Sequence, residues 1–469
     1  MEKRIINLFS TMILLICLTS CKKDITVPDH TSTSYNAKND SALSPVIPNH
    51  SAKDYGAEMV LKWNEAGTKA VAKTAGMPPM SESRIYAMVN LAMHDALNNI
   101  IPDYETYAYK ATIINQASPD AAVSQAAHDV LVSLFPDQRS SFDSLLLACL
   151  STVAAGESRE TGIFIGNSAA TAMINKRAND GVATAQYNFP SGNSPGQYRA
   201  TPPFDSAPYY NFISLPGWGK VKPFGAEQIF QFRMDPPYAI NSQEYTADFN
   251  EVKTLGCRDC KDRTPEQTQI GIFWLDNIPR SWNRIARSLI IEKKLNGWEA
   301  ARLLALLHMS IADANVCAFD NKFHYSFWRP YTAIRTAETD GNPNTSSDPK
   351  WTTLVSPTPP VPDYPSNHAM NAGAAAEILK NFFKTDDISF TATSNSLPQV
   401  TRSFNNFSTA GREVSLSRIY VGFHFRTSVR RGEEQGRKIG QYVFENCLKD
   451  RTNRITRGPF PDKIPLISR

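Results

Sequence analysis

A strong charge of one sign is missing from this sequence. Lys and Arg total 49 against 45 Asp and Glu, a formal net charge of +4 over 469 residues. That excess is too small and too evenly spread for a nucleic-acid-binding surface, so any anion site must be local. Glycine is also scarce beside proline, 23 against 31. This balance points to long ordered loops and excludes a coiled coil or a regular repeat array, and no internal repeat is visible. Alternating apolar and polar runs are rare, which argues against extended strands. Cysteine is sparse, with one C-x-x-C motif, Cys257-Arg258-Asp259-Cys260. A zinc ribbon needs a second pair, so this motif reads as a local disulfide or as inert thiols. What is present, 42% hydrophobic and 10% aromatic residues, suffices for a sizeable core and excludes disorder throughout.

The chain begins with an address. Lys3 and Arg4 precede an apolar run from Ile5 to Leu18 that is too short and too interrupted for a spanning helix, so residues 1–20 read as a signal peptide. The sequence Leu18-Thr19-Ser20-Cys21 resembles a bacterial lipobox, which makes Cys21 the expected lipidated N-terminus of an envelope protein on the periplasmic or outer-membrane face. Residues 21–53, polar and without periodicity, read as a flexible tether. No later stretch is expected to cross a bilayer. An odd number of cysteines after Cys21 leaves at least one thiol free.

From Tyr55 onward, apolar residues recur at three and four spacing, the mark of an all-α protein. Helices are expected at about 56–75, 82–99, 119–134, 139–153, 157–179, 243–255, 264–292, 296–318, 327–337, 367–384, 401–419 and 428–449. Two Pro-rich connections, about 186–240 and 338–366, are long enough to be ligand-lining. With no low-complexity linker between its halves, 54–460 reads as one folded unit whose chemistry-bearing part is about 240–450. His94 and His308, on apolar helical faces, read as ordinary core histidines. Asp95, Asp313 and Asp320 are candidates to support a nearby basic cluster.

Three segments carry that cluster. In Asn321-Lys322-Phe323-His324-Tyr325-Ser326-Phe327-Trp328-Arg329-Pro330, Lys322 and Arg329 are seven apart, two turns on one helical face. Two cations so placed repel unless they share an anion. The intervening aromatics argue that the face is buried, whereas the pair alone also fits a solvated face. In Pro362-Asp363-Tyr364-Pro365-Ser366-Asn367-His368, a helix starts after the proline, where free N–H groups and the positive dipole end favour an oxyanion. Alone, it also fits a plain Ser N-cap. In Ser417-Arg418-Ile419-Tyr420-Val421-Gly422-Phe423-His424, a tight turn at Gly422 would bring His424 back toward the anion that Arg418 contacts.

Together, the order Lys-x6-Arg-Pro, Pro-Ser-x-His, Ser-Arg-x3-Gly-x-His resembles the superfamily of vanadium-dependent haloperoxidases and type 2 phosphatidic acid phosphatases. Further stretches, RIYAMVNLAMHDALN and DANVCAFDNKFHYSFWRP among them, are similar to the bacterial secreted haloperoxidase-like proteins, so the resemblance covers most of 80–450. It implies an α-helical bundle with the site at its core. It also implies that Lys322, Arg329 and Arg418 hold the oxygens of vanadate, or of phosphate in the same place, with the Ser366 hydroxyl and the Asn367 N–H completing the cradle. His424 would bond vanadium, or carry phosphorus as a phosphohistidine, and His368 would be the acid/base. In the haloperoxidase form Lys322 would polarise the bound peroxide.

Four positions depart from the family pattern. Asn367 replaces the family's usual glycine, a place where Asn tolerates a left-handed backbone but adds a side chain to the cradle. Ser428 stands where the family has an Asp four residues after the last histidine, which removes the carboxylate that orients the imidazole and counts against phosphatase chemistry. Phe319 and Val361 replace a Trp and an aromatic or His near the halide, so iodide or bromide is expected over chloride. The reading is therefore a haloperoxidase using hydrogen peroxide and halide. The alternatives are an acid phosphatase acting on a phosphate ester, and a degenerate oxyanion-binding lipoprotein.

Overall fold

The computed structural model describes residues 54–451 except 112 and 115. The expected signal peptide, Cys21, the tether 21–53 and the end of the expected domain beyond 451 lie outside the described residues. The chain is helical, as its periodicity predicts. Its helices are α1 (Glu58–Lys73), α2 (Pro79–Asn98), α3 (Pro119–Leu134), α4 (Arg139–Leu150), α5 (Glu157–Arg177), α6 (Gln243–Leu255) and α7 (Pro265–Phe273), followed by α8 (Ile278–Glu292), α9 (Gly297–Tyr325), α10 (Pro330–Arg335), α11 (Asn367–Phe383), α12 (Phe407–Tyr420) and α13 (Arg426–Asn446). Between α11 and α12, β1 (Phe390–Thr393) pairs antiparallel with β2 (Thr401–Phe404).

Local chemistry sets the boundaries. Thr264 with Gln267 and Asn296 with Glu299 form capping boxes that start α7 and α9. Three expectations are corrected. The helix expected over 264–292 is two, because Asn277 takes an extended backbone ahead of Pro279 and restarts the chain as α8. The helix expected at 401–419 gives its first residues to β2 and starts only after the Asn406 cap. The helix expected to stop at 318 runs on to Tyr325, where Ser326 in the left-handed region (φ 45°) ends it.

α9 lies at the centre, packed by α2, α11 and α13. By length and composition it could cross a bilayer, contrary to expectation, yet 94% of its most apolar stretch is buried in protein. Leu303, Leu304, Leu306 and Leu307 are all fully buried, each contributing roughly 2 kcal/mol of transfer free energy. α11 and α13 approach backbone to backbone. A Cβ on Gly373 would lie 2.3 Å from the Glu433 carbonyl oxygen, and one on Gly436 2.0 Å from that of Met370. This contact delivers the start of α13 to the start of α11, where Ser366 N–H donates to the Ser428 carbonyl at 3.0 Å.

Buried carboxylates anchor the loops. Asp95 on α2 accepts the N–H groups of Tyr107, Ala108 and Tyr109, and Asp313 on α9 accepts those of Phe224, Gly225 and Ala226. Asp320 pairs with Arg233. None of the three serves the basic cluster as expected; loops without secondary structure need acceptors for their N–H groups, and Asp95 and Asp313 supply them, while Asp320 holds the Arg233 side chain. His94 and His308 are core histidines. His94 Nε2 lies 3.1 Å from the Glu105 carbonyl, and His308 Nε2 lies 2.9 Å from Asn283 Oδ1. Burial holds their pKa down, to about 4 and about 3. Cys257 and Cys260 form the local disulfide, and Cys149, Cys317 and Cys447 are free.

Candidate active site

The three segments converge on one cavity of about 300 Å³, whose lining includes Lys322, Arg329, His368, Arg418 and His424. They arrive differently from the sequence expectation. Lys322 sits in the last turn of α9, but Arg329 lies beyond the break at Ser326 and N-caps α10. The two cations therefore do not share a helical face. The turn at Ser326, not helical periodicity, brings them together.

Lys322 is 1% exposed, and its Nζ donates to the carbonyls of Pro362 (2.6 Å), Asp363 (3.0 Å) and Pro365 (2.6 Å). An ammonium has three N–H bonds, and all three are engaged. Lys322 thus folds the loop that presents Ser366 and adds a fixed positive charge. Burial, then Arg329, hold its pKa well below the ordinary lysine value, with Asp363 opposing.

Arg329 is equally buried and donates through Nε to Val361 O at 2.8 Å and through Nη1 to Phe423 O at 2.9 Å. Nη1 also lies 3.0 Å from His424 Nε2. Arg418, in the last turn of α12, donates to Ser417 Oγ and Trp274 O, both at 3.1 Å, and leaves Nη1 without a partner. Burial, then the charge of Arg329, push its pKa down to about 9. A turn at Gly422 (φ 80°) follows, where a Cβ would lie 2.4 Å from the Gly256 carbonyl oxygen, and returns the chain to place His424 on the cavity.

Ser366 is fully buried and caps α11, its Oγ accepting from Ala369 N–H at 3.4 Å. Asn367 is the first residue of α11 and has helical backbone, so the tolerance of Asn for a left-handed backbone is not called on. Its side chain turns to Asn315 instead. Ser83 Oγ donates to Met80 O (2.8 Å) and accepts from Asn315 Nδ2 (3.0 Å), which leaves Asn315 Oδ1 to accept from Asn367 Nδ2 (3.1 Å) and Asn371 Nδ2 (3.0 Å). His368 follows, partly exposed, its Nε2 buried without a partner. Burial, then the charges of Arg418, Arg329 and Lys322, hold its imidazole well below its ordinary pKa, so it is neutral near pH 7.

One carboxylate faces these cations, and it is not at 428. His424 Nδ1 lies 2.8 Å from Asp363 Oδ1, within ion-pair distance but without hydrogen-bond geometry, and Asp363 Oδ1 has no hydrogen-bond partner. Ser428 Oγ donates to Asp363 Oδ2. Burial pushes Asp363 up to about 7, with Arg329, the Ser428 hydrogen bond and Lys322 pulling it back. Sequence reasoning missed Asp363, Asn315 and Asn371. The available signal was an Asp within a Pro-rich segment next to a buried basic cluster, since a buried carboxylate needs a cation or donor.

The donor set fits a tetrahedral oxyanion: three buried cations against one carboxylate, a hydroxyl, a helix N-terminus and two neutral imidazoles. It suits vanadate and phosphate alike. The other wall of the cavity is apolar, with Ile278, Phe319, Pro360, Val361 and Phe423.

Comparison with known proteins agrees. Residues 302–452 match the family model described as the VCPO second helical-bundle domain. The vanadium chloroperoxidase of Curvularia inaequalis is 27% identical over 410 residues, spanning 71% of this chain and 66% of that relative's length. The crystal structure of a bacterial vanadium-dependent iodoperoxidase superposes with a TM-score of 0.71 at 24% identity, covering 85% of this chain and 98% of that one. A bacterial vanadium-dependent chloroperoxidase superposes with a TM-score of 0.62 at 19% identity, covering 79% and 93%. The chain has the helical fold of the vanadium haloperoxidases. Its sequence is similar to that of vanadium chloroperoxidase, consistent with the haloperoxidase and acid phosphatase superfamily.

Proposed function

We propose that this protein is a vanadium-dependent haloperoxidase that oxidises iodide or bromide with hydrogen peroxide. The observation that carries this reading is the convergence of Lys322, Arg329, Arg418, His368 and His424 on one cavity, with Asp363 as the facing carboxylate among the described residues. Vanadate, when bound, supplies a Lewis-acid centre that activates peroxide for two-electron oxidation of a halide. The protein's part is electrostatic and positional. The unpartnered Arg418 Nη1 and the Arg329 guanidinium donate to the oxyanion, while Lys322, fully bonded to carbonyls, acts at a distance as charge. The Ser366 hydroxyl and the first-turn N–H groups of α11 complete the cradle. His424 offers Nε2 to the anion. His368, neutral and unpartnered at Nε2, takes or gives a proton beside it. Phe319 and Val361 present apolar surface, which favours a large, weakly hydrated halide over chloride.

A second reading has a specific observation in its favour. Asp363 beside His424 supplies the orienting carboxylate that Ser428 lacks, so acid phosphatase chemistry through a phosphohistidine on His424 has its parts. The test compares halide oxidation by the purified protein with vanadate and peroxide against aryl-phosphate hydrolysis without vanadate. Absence of peroxide-dependent oxidation of every halide would sink the first reading; hydrolysis abolished by His424→Ala would establish the second.

The proposal extends to location. Support comes from the sequence order of Lys3-Arg4, the apolar run and Cys21, for a lipid-anchored envelope protein. Labelled palmitate should enter the wild type and not Cys21→Ser.

A further inference from the structure

His424 has two ring nitrogens, and its neighbours dictate which carries the proton. Arg329 Nη1 lies 3.0 Å from Nε2. The same Nη1 lies 3.4 Å from Nδ1, so Nε2 is the nearer ring nitrogen, and because a guanidinium only donates, this contact favours Nε2 as the unprotonated acceptor. The single proton of a neutral imidazole is then on Nδ1, and Nδ1 lies 2.8 Å from Asp363 Oδ1, a buried oxygen that has no hydrogen-bond partner and so has its acceptor capacity free for that proton. The second oxygen of Asp363 is engaged by Ser428 Oγ.

The carboxylate is held from its backbone as well. Asp363 N–H donates to Phe327 O at 2.9 Å, and Lys322 Nζ holds the carbonyls of Pro362, Asp363 and Pro365. A side chain on so constrained a loop has little freedom to move away from the imidazole.

We propose that Asp363 is the positioning residue of this site: it keeps the His424 proton on Nδ1, so that the Nε2 lone pair, which faces Arg329 Nη1 in the anion-free site, would pass to the central atom of a bound oxyanion, and Ser428 is the hydroxyl that fixes Asp363. Where the family resemblance implies a carboxylate in the first turn of α13, this chain has the Ser428 hydroxyl, and its carboxylate stands in the loop ahead of α11. The two positions touch, so the exchange preserves the contact while altering both motifs. This inference rests on the reading of His424 as the imidazole that meets the anion.

The exchange can be run backwards. In the full chain, Asp363→Ala should weaken orthovanadate binding, read by calorimetry and vanadium-51 NMR, by about ten- to a hundredfold. Asp363→Ala with Ser428→Asp, which returns the carboxylate to α13, should recover affinity to within about threefold of wild type. Ser428→Asp alone should bind more weakly than wild type, because two carboxylates then face each other. Nitrogen-15 NMR of the anion-free wild type should show His424 as the Nδ1–H tautomer.

Wild-type affinity in Asp363→Ala would overturn the proposal. So would a folded double variant no tighter than Asp363→Ala, or a His424 protonated at Nε2 in the wild type. If the wild type binds vanadate but oxidises no halide, the haloperoxidase reading fails while the affinity series still decides the role of Asp363. If it binds no vanadate at all, the tautomer decides it.

Discussion

Lys322 Nζ donates to the Pro365 carbonyl at 2.6 Å, which ties the last turn of α9 to the residue immediately before Ser366. With the bonds to Pro362 and Asp363, this makes Lys322 as much a folding element of the loop as a charge in the site. Lys322→Met keeps the length and removes the ammonium, leaving three carbonyls without their donor. Stability should fall by about 3 kcal/mol, and vanadate affinity should fall more than loss of one remote charge would explain. Thermal melts and vanadate titration of the same preparation test this; an unchanged melting temperature would show that the carbonyls find other donors.

Arg418 should behave in the opposite way. It is 1% exposed, makes two hydrogen bonds and faces the repulsion of Arg329. A buried cation without a counter-charge is a strain on the anion-free fold. Arg418→Met should leave the anion-free melting temperature equal or higher, and weaken vanadate binding by at least about a hundredfold, roughly 3 kcal/mol. A variant that is both less stable and still binding would refute the assignment.

Asp313 gives stability a pH signature. Burial raises its folded pKa from the ordinary aspartate value of 3.8 to about 6, while its hydrogen bonds from Phe224, Ala226 and Gly225 pull it down. The folded state therefore takes up a proton that the unfolded state does not between about pH 6 and pH 4, and this group adds stability as the pH falls through that window. Asp313→Asn lacks that gain. Its deficit against wild type, by denaturant unfolding, should be larger by about 2 kcal/mol at pH 4 than at pH 7. A deficit independent of pH would show that the carboxyl is not protonated there.

Gly436 tests the packing that sets Ser428 beside Asp363. A methyl group there would meet the Met370 carbonyl oxygen at 2.0 Å, so α11 and α13 must separate. Gly436→Ala should cost about 3 kcal/mol and weaken vanadate binding although residue 436 does not line the cavity. Normal affinity in a destabilised variant would mean that the separation does not reach the site.

The helical class and the three anion-site segments were legible in the sequence, because each is written in local terms: apolar residues at three and four spacing, Pro-Ser ahead of a helix, Gly422 where a turn needs positive φ. The end of α9 was only roughly legible: helices are expected to stop at 318 and resume at 327, and the structure carries α9 on to Tyr325 before the break at Ser326. Lys322 and Arg329 stand seven apart, and helical geometry explains that spacing as readily as the turn that forms. The missing carboxylate at 428 was legible, but its replacement was not, since Asp363 and His424 are 61 positions apart and meet only when α13 packs on α11.

The sequence by itself determined which residue types are available and in what order: three cations, two histidines, a hydroxyl at a helix start. Only the tertiary structure decided how their hydrogen-bonding capacity is divided, with Lys322 committed to carbonyls, Arg418 left with a free donor and His424 placed between Arg329 and Asp363. The physical reason is burial. Once water is excluded, every donor and acceptor must find its partner within the protein or in a ligand, and those partners come from segments that only the folded chain brings together.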